Sequence, residues 1–127
     1  MNMIGSAHGR TPAKSFRDLV AWQRAIELTT AIYQLTRQFP REEIYGLTNQ
    51  LRRAGVSVAS NIAEGYGRAT RGEYRNFVSI ARASALEIQT QLIIAGNLGF
   101  GDPGELARAE QLADQTSKML WSIARHL

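Results

Sequence analysis

The chain has 127 residues, a length that supports one domain with a single hydrophobic core and is short for two. Its 44% hydrophobic and 20% charged residues are typical of a folded globular protein, and its formal net charge of +4 mildly favours anionic partners. The absence of cysteine excludes disulfides, thiolate metal sites and cysteine nucleophiles. No segment approaches the run of about 18 apolar residues that a membrane span needs, and no signal peptide is recognisable, so we expect a cytoplasmic bacterial protein without a membrane partner. Residues 1–14 are expected to form a flexible tail, followed by one domain over residues 15–127.

The first two predicted helices are separated by Pro40, which ends the first because the residue before a proline is pushed out of the α region. Ser15 is a candidate N-cap for the first helix. The apolar face of that helix follows steps of mostly three or four residues: Phe16, Leu19, Trp22, Ile26, Ile32, Tyr33 and Leu35. The second helix is expected over about residues 43–64, with Gly65 and Gly67 as its stop. Its core stripe consists of Leu47, Leu51, Ala54, Val58 and Ile62.

The third predicted helix begins at a capping box, Thr70 with Glu73. It ends at Gly99, after which Phe100 is expected to fold back onto the last turn. Its core stripe is Tyr74, Phe77, Ala81, Ser84, Ile88, Gln91, Ala95 and Leu98. The fourth begins at residues 102–105, and its inner face is Leu106, Ala109, Ala113, Thr116, Leu120, Ala124 and Leu127. Short connections between these helices predict an all-α, antiparallel, up-down-up-down four-helix bundle.

A second side of the second helix carries small and apolar residues in excess of one core stripe. At about 100° per residue, this side lies about 120° from the stripe. Gly55 in a helix interior costs about 1 kcal/mol relative to alanine, which favours tight packing around it. Two interpretations stay open: the side contacts both neighbouring helices of its own bundle, or it forms the interface of a symmetric homo-oligomer. The candidate interface residues are Val56, Ala59, Ala63, Tyr66 and Trp121.

Six arginines and only two acids lie between residues 52 and 82, so the net charge of this stretch, +4, equals the net charge of the whole chain. The arginines are Arg52, Arg53, Arg68, Arg71, Arg75 and Arg82. The last three of them fall within about 40° of one another on the third helix and face away from its core stripe. Such a row can neutralise the phosphates of RNA or DNA without reading base sequence, and no recognition-helix motif, zinc finger or aromatic stacking platform is apparent. The alternative is a solvated helix face on which Glu73 and Glu87 pair with arginines.

No catalytic constellation is apparent in the sequence. The two histidines, His8 and His126, lack partners at metal-ligand spacing, and the acids are scattered, with Glu64 the nearest approach to a catalytic acid. Gln91, in the core register of the third helix, predicts a buried polar side chain with a helix–helix hydrogen bond. We therefore expect no enzyme activity, no metal and no cofactor.

Several motifs carry a resemblance to a known family. In and before the second helix they are Phe39-Pro40, Glu43-Ile-Tyr-Gly-Leu47, Gln50-Leu-Arg-Arg-Ala54, Ser57-Val-Ala-Ser-Asn-Ile-Ala-Glu-Gly65 and Gly67-Arg68. In the third helix they are Glu73, Phe77, Ile80-Ala81, Ser84, Glu87, Thr90-Gln-Leu92, Ala95 and Leu98-Gly99, and in the first they are Trp22 and Ala25.

Over about residues 16–125 the chain thereby resembles the four-helix-bundle proteins encoded within intervening sequences of bacterial 23S ribosomal RNA genes. It departs from the family pattern at Gly55, where alanine is common. The resemblance implies an antiparallel four-helix bundle that assembles as a homopentamer. The family is similar in fold to the accessory variability protein of diversity-generating retroelements, a basic pentameric barrel that binds nucleic acid and a reverse transcriptase, although fold alone does not transfer function. The family's molecular role is poorly defined, and it provides no catalytic residues.

Two classes of function follow from these observations. The leading hypothesis is a non-enzymatic homo-oligomer, a pentamer by resemblance, that binds RNA or DNA through the six arginines. The competing hypothesis is an oligomeric scaffold or adaptor that binds another protein and no nucleic acid.

Overall fold

Four helices make up most of residues 13–127, the part of the chain that the computed structural model describes. The helices are α1 (Val20–Thr36), α2 (Leu47–Tyr66), α3 (Arg71–Asn97) and α4 (Pro103–Arg125), with 3-10 turns at Phe16–Asp18 and Arg41–Tyr45. Each helix packs on two others, in the closed order α1–α2, α2–α3, α3–α4 and α4–α1. Consecutive helices run antiparallel, so that the first turn of α3 meets the last turn of α4. The predicted up-down-up-down four-helix bundle is confirmed.

The core is built from aliphatic side chains of all four helices. The largest fully buried apolar ones are Leu28, Ile32, Leu35, Leu51, Val58, Ile62, Val78, Ile88, Leu92 and Leu120. Between them lie buried alanines, which allow the helix backbones to approach closely. The predicted stripe of α2 is confirmed from Leu51 to Ile62, while Leu47 is only partly buried.

The predicted inner face of α1 is wrong at two positions. Ile26 and Tyr33 are each 40% exposed, whereas Ala21 and Ala25 are buried. The prediction followed the largest apolar side chains, but the closest helix–helix contacts are made by small ones. The N-terminal boundary also differs, because Ser15 caps the 3-10 turn before α1 by accepting a hydrogen bond from the Arg17 amide.

The inner faces of α3 and α4 are rotated slightly from the predicted ones. Leu98, expected in the core, is 58% exposed, while Val78 and Leu92 are completely buried. On α4, Ile123 is buried although it is not part of the predicted inner face. Gln91 is buried and its amide nitrogen donates to Oε1 of Gln50 on α2 at 3.2 Å, which confirms the predicted helix–helix hydrogen bond.

The predicted caps of α3 and α4 are confirmed. The Thr70 hydroxyl accepts a hydrogen bond from the Glu73 amide at the start of α3. The Asp102 carboxylate accepts one from the Glu105 amide at the start of α4. α3 ends at Asn97, and Gly99 follows two residues later with a φ of 73°, in the left-handed region. The Phe100 amide donates back to the carbonyl of Ala95 at 2.9 Å, as the sequence predicts for this kind of helix end.

The limits of α2 differ from those predicted. Residues 41–45 form a 3-10 turn, so the helix begins at Leu47 and not near residue 43. It continues through Gly65, which is buried inside the last turn and is not the stop. A Cβ at Gly65 would lie 2.8 Å from Cβ of Phe77, so this glycine permits the close approach of α3.

Most of the predicted N-terminal tail, including His8, lies outside the described residues. Its last two residues are held against the bundle. The carbonyl of Ala13 accepts a hydrogen bond from the Tyr66 hydroxyl at 2.9 Å, and the Lys14 amide donates to Asp18 at 2.8 Å.

Candidate nucleic-acid interface

The six candidate arginines lie on three different faces of the subunit. Arg52 is directed towards α1, where its Nε donates to the Thr36 hydroxyl at 2.8 Å and its guanidinium lies 4.6 Å from the centre of the Tyr33 ring. It is therefore separated from the arginines of α3 by the width of α2.

Arg53 lies in an open groove between α2 and α3. The groove has a volume of about 360 Å³ and is lined by Asn49, Gln50, Arg53, Ala54, Ser57, Ser84 and Glu87. A hydrogen bond of 3.0 Å between the hydroxyls of Ser57 and Ser84 joins the two helices there.

Arg68 and Arg71 lie together at the end of the bundle where α2 ends and α3 begins. The guanidinium of Arg68 lies 4.6 Å from the centre of the Phe77 ring. Arg71 reaches across to α4, where it donates to the backbone oxygens of His126 at 2.6 Å and Leu127 at 3.4 Å. A cation at these oxygens is also favourable for the helix dipole, since the C-terminus of a helix carries partial negative charge.

Arg75 and Arg82 lie on the same edge of α3 as Arg71, and this edge borders α4. Gly96 lies within about 20° of Arg71 around the axis of α3. A Cβ on Gly96 would be 3.1 Å from the Leu106 side chain of α4, so this edge of α3 faces α4. Arg75 is exposed. Arg82 is partly buried, and its Nε is enclosed without a hydrogen-bond partner among the described residues.

None of these six arginines forms an ion pair with an aspartate or glutamate side chain within residues 13–127. The ion pairs of this part of the chain are Arg24–Glu27, Arg108–Glu27 and Lys118–Asp114. The two acids expected to neutralise the arginines have other partners: Glu73 contacts the Thr70 hydroxyl, and Glu87 accepts a hydrogen bond from Gln91. No aspartate or glutamate side chain of this part of the chain thus neutralises the six arginines, although Arg71 and Arg52 are hydrogen-bonded within the subunit.

Charge is also sorted along the bundle axis. The end where α1 and α3 begin, which we call the basic end, carries Lys14, Arg17, Arg68, Arg71, Arg75 and Arg125 against Asp18, Glu64 and Glu73. The opposite end carries Glu42, Glu43, Asp102 and Glu105 against Arg37 and Arg41. An approaching polyanion is consequently directed towards the basic end.

Two residues of α4 complete the basic edge: Trp121, which the sequence predicts as a subunit contact, and Arg125, which is not among the six candidate arginines. Trp121 is 46% exposed, and the guanidinium of Arg125 lies 4.4 Å from the centre of its ring. Their spacing of four residues on one helix is the signal that predicts such a contact. The spacing alone does not predict that this pair lies near Arg75 and Arg82, because it does not show which side of α4 borders α3.

The candidate interface residues differ in how much surface they leave free. Val56 is exposed, Ala63 and Tyr66 are partly buried, and Ala59 is already buried within the single chain. Gly55 serves an internal contact, since a Cβ there would lie 3.1 Å from the Thr29 hydroxyl of α1. Part of the second apolar side of α2 is thus used for packing against α1.

Other chemistry is sparse within residues 13–127. No group of three or more histidine or acidic side chains in this range is arranged to hold a metal ion. None of the described helices is both long and apolar enough to span a membrane. Burial of Tyr74, with a smaller contribution from the charge of the neighbouring Tyr66, raises the pKa of the Tyr74 phenol to about 12.

These features define the protein as an antiparallel four-helix bundle with one strongly basic end. Residues 17–122 match the family model for the 23S rRNA-intervening sequence protein, and the chain belongs to that family. The fold is similar to the crystal structure of a protein of unknown function from the S23 ribosomal protein family of Bacteroides thetaiotaomicron, with a TM-score of 0.74 and 20% sequence identity. That similarity covers 83% of this chain and 98% of the other. No curated protein matches the chain.

Proposed function

We propose that this protein is a non-enzymatic, cytoplasmic homo-oligomer that binds RNA or DNA through phosphate contacts. The observation that carries the proposal is the row of arginines along the edge of α3 that borders α4, which has no aspartate or glutamate partner within residues 13–127. Arg71, Arg75 and Arg82 form this row, and Arg68 adjoins it at the basic end. Arginine suits this role because its planar guanidinium donates several hydrogen bonds to phosphate oxygens.

A homo-oligomer would strengthen this binding. One subunit offers only a few phosphate contacts, but copies of the same edge in a ring would engage one strand repeatedly and raise the overall affinity. The pentamer is proposed from the resemblance to the family. Arg52 and Arg53, which lie on other faces of the single subunit, could contribute only where an assembly brings those faces to the same strand.

A protein-binding scaffold is the second candidate function. It is supported by large apolar side chains that remain exposed in the single chain. The most exposed of these are Tyr45, Leu98, Ile93, Ile44, Val56 and Trp121. Such surface is typical of interfaces and also suits the proposed oligomer.

The deciding experiment combines neutralisation with a salt titration. The triple variant Arg71→Gln, Arg75→Gln, Arg82→Gln removes the row, and light scattering at several concentrations determines its assembly alongside the parent. The affinity for a fluorescently labelled RNA is measured between about 50 and 200 mM salt, because phosphate contacts give a log–log slope of about −0.7 to −0.9 for each contact. We expect the triple variant to lose about two units of slope and at least about tenfold in affinity at low salt.

A matched control removes the same charge elsewhere. Arg37→Gln, Arg41→Gln, Arg108→Gln lowers the net charge equally in the other half of the bundle. If both triple variants weaken RNA binding alike, only net charge matters and the assignment of the row is wrong. If the parent binds no nucleic acid at low salt, the scaffold function is favoured instead.

A further inference from the structure

Trp121 and Tyr33 are both exposed aromatic residues with an arginine over the ring, and Trp121 is the larger and the more exposed of the two. It is 46% exposed, whereas Trp22 is partly buried and packs edge-on against Phe16 with ring centres 5.2 Å apart. A tryptophan left half in solvent exposes a large apolar face, and such faces are commonly covered by a ligand or a partner.

The contacts of α4 place Trp121 on its α3 side. Arg108 and Glu105 lie on the opposite side of α4, where they contact Glu27 and Gln38 of α1. Leu106 faces α3, and Trp121 lies about 60° from Leu106 around the helix axis, further from α1.

The alignment of α3 against α4 determines which residues of α3 lie beside Trp121. Arg71 bonds to His126, and Gly96 faces Leu106, so a residue near position 78 of α3 lies opposite Trp121. Arg75 and Arg82 therefore flank the tryptophan, each about one helical turn, or about 5 Å, along the axis. Arg125, stacked on the indole, completes an aromatic surface with a cation on three sides.

This combination has a specific use in nucleic-acid recognition. Proteins that bind single strands pair a basic groove with aromatic rings on which unpaired bases stack, and stacking tolerates any base. A duplex keeps its bases stacked inside and offers mainly its backbone to a surface such as this one. Arg82 has no aspartate or glutamate partner among the described residues, so its positive charge is not neutralised by a carboxylate side chain there.

We infer that the surface formed by α3 and the C-terminal half of α4 binds unpaired nucleotides of RNA or DNA, with a base stacked on the Trp121–Arg125 pair and phosphates held by Arg75 and Arg82. This inference rests on the proposed function and narrows its ligand to single strands. It also removes Trp121 from the candidate subunit interface. A two-fold contact with a second copy of the chain would bring the same cations together here, which disfavours that occupant. An apolar protein surface would have to bury guanidinium groups without counter-charges.

The test uses the fluorescence of Trp121 as the probe. Trp22→Phe leaves Trp121 as the only tryptophan of the chain. Titration with a 12-nucleotide oligouridylate should change its emission, while an RNA duplex of equal length should change it far less. In the parent background, Trp121→Ala should weaken oligouridylate binding about 5- to 150-fold and leave duplex binding within about twofold.

Two controls keep the result interpretable. Tyr45→Ala removes an aromatic ring that is 92% exposed near the opposite end of the bundle, and it should leave oligouridylate binding unchanged. Trp121→Phe retains a stacking ring and should keep most of the affinity, and circular dichroism checks that each variant is folded.

The outcomes separate this inference from the function on which it rests. If single strands and duplex bind equally and Trp121→Ala weakens neither, the inference is overturned while nucleic-acid binding stands. If Trp121→Ala lowers the mass measured by light scattering, the ring is a subunit contact and the inference is again overturned. If no nucleic acid binds at low salt, the proposed function itself fails.

Discussion

The tightest contact between α2 and α3 is made at Gly65, and it can be tested with a single methyl group. In Gly65→Ala the new Cβ would lie 2.8 Å from Cβ of Phe77 and 3.1 Å from Cδ1 of Tyr74. The first of these atoms is attached directly to the backbone, so it cannot move away by a change of rotamer. α3 must therefore shift relative to α2, although these two helices form the most extensive contact in the bundle.

Two opposing effects set the size of the change. Replacing glycine by alanine inside a helix stabilises it by roughly 1 kcal/mol. Overpacking a well-packed contact destabilises the fold by roughly 1 to 3 kcal/mol. We expect the second effect to win, with a net loss of about 1 kcal/mol in the free energy of unfolding, or roughly 3 to 5 °C in Tm for a domain of this size.

Gly72→Ala is the matched control, because no atom lies within 4 Å of a Cβ built at that exposed position. It should leave Tm unchanged or raise it by a few degrees, since only the helix propensity changes. Both variants are compared by thermal and urea unfolding at one protein concentration, which keeps any effect of assembly constant. If Gly65→Ala is as stable as Gly72→Ala, the close approach of α2 and α3 at Gly65 is wrong.

Two further predictions concern the start of α3. Thr70→Ala removes the hydroxyl that accepts from the Glu73 amide at 3.1 Å and should cost about 1 kcal/mol in urea unfolding. Thr30→Ala, on the exposed side of α1, should change stability by less than about 0.5 kcal/mol, and equal losses would argue against the cap. The pKa of Tyr74 is raised from 10.0 to about 12 by burial and by Tyr66, so the fold favours the neutral phenol. This contribution is complete below pH 10 and is lost as the pH rises towards about 12. Because the Tyr74 ring is partly exposed, solvent screening reduces this contribution to the free energy of unfolding to about 1 kcal/mol. Tyr74→Phe should make unfolding less dependent on pH in this range, and an unchanged dependence would show that another group is responsible.

The candidate site was predicted in part. The residues of the arginine row on α3 could be identified from the sequence, because their relative angles follow from the helical repeat alone. Whether Arg52 and Arg53 extend this row depends on how α2 is rotated against its neighbours, which the sequence does not show. In the single subunit Arg52 bonds to Thr36 of α1 instead. Arg125 was not predicted as part of the site. It belongs to the basic edge because the last turn of α4 packs beside the first turns of α3.

The sequence by itself determined the four helices, their caps at Thr70, Asp102 and Gly99, and the antiparallel bundle. These features depend on local backbone chemistry and on a repeat of 3.6 residues, both of which are properties of a short segment. Only the tertiary structure decided which side of each helix lies deepest, why Gly65 must be small, and which side of α4 packs against α3. Those properties depend on the rotation and register of one helix against another, and these are set by the packing of side chains that are far apart along the chain.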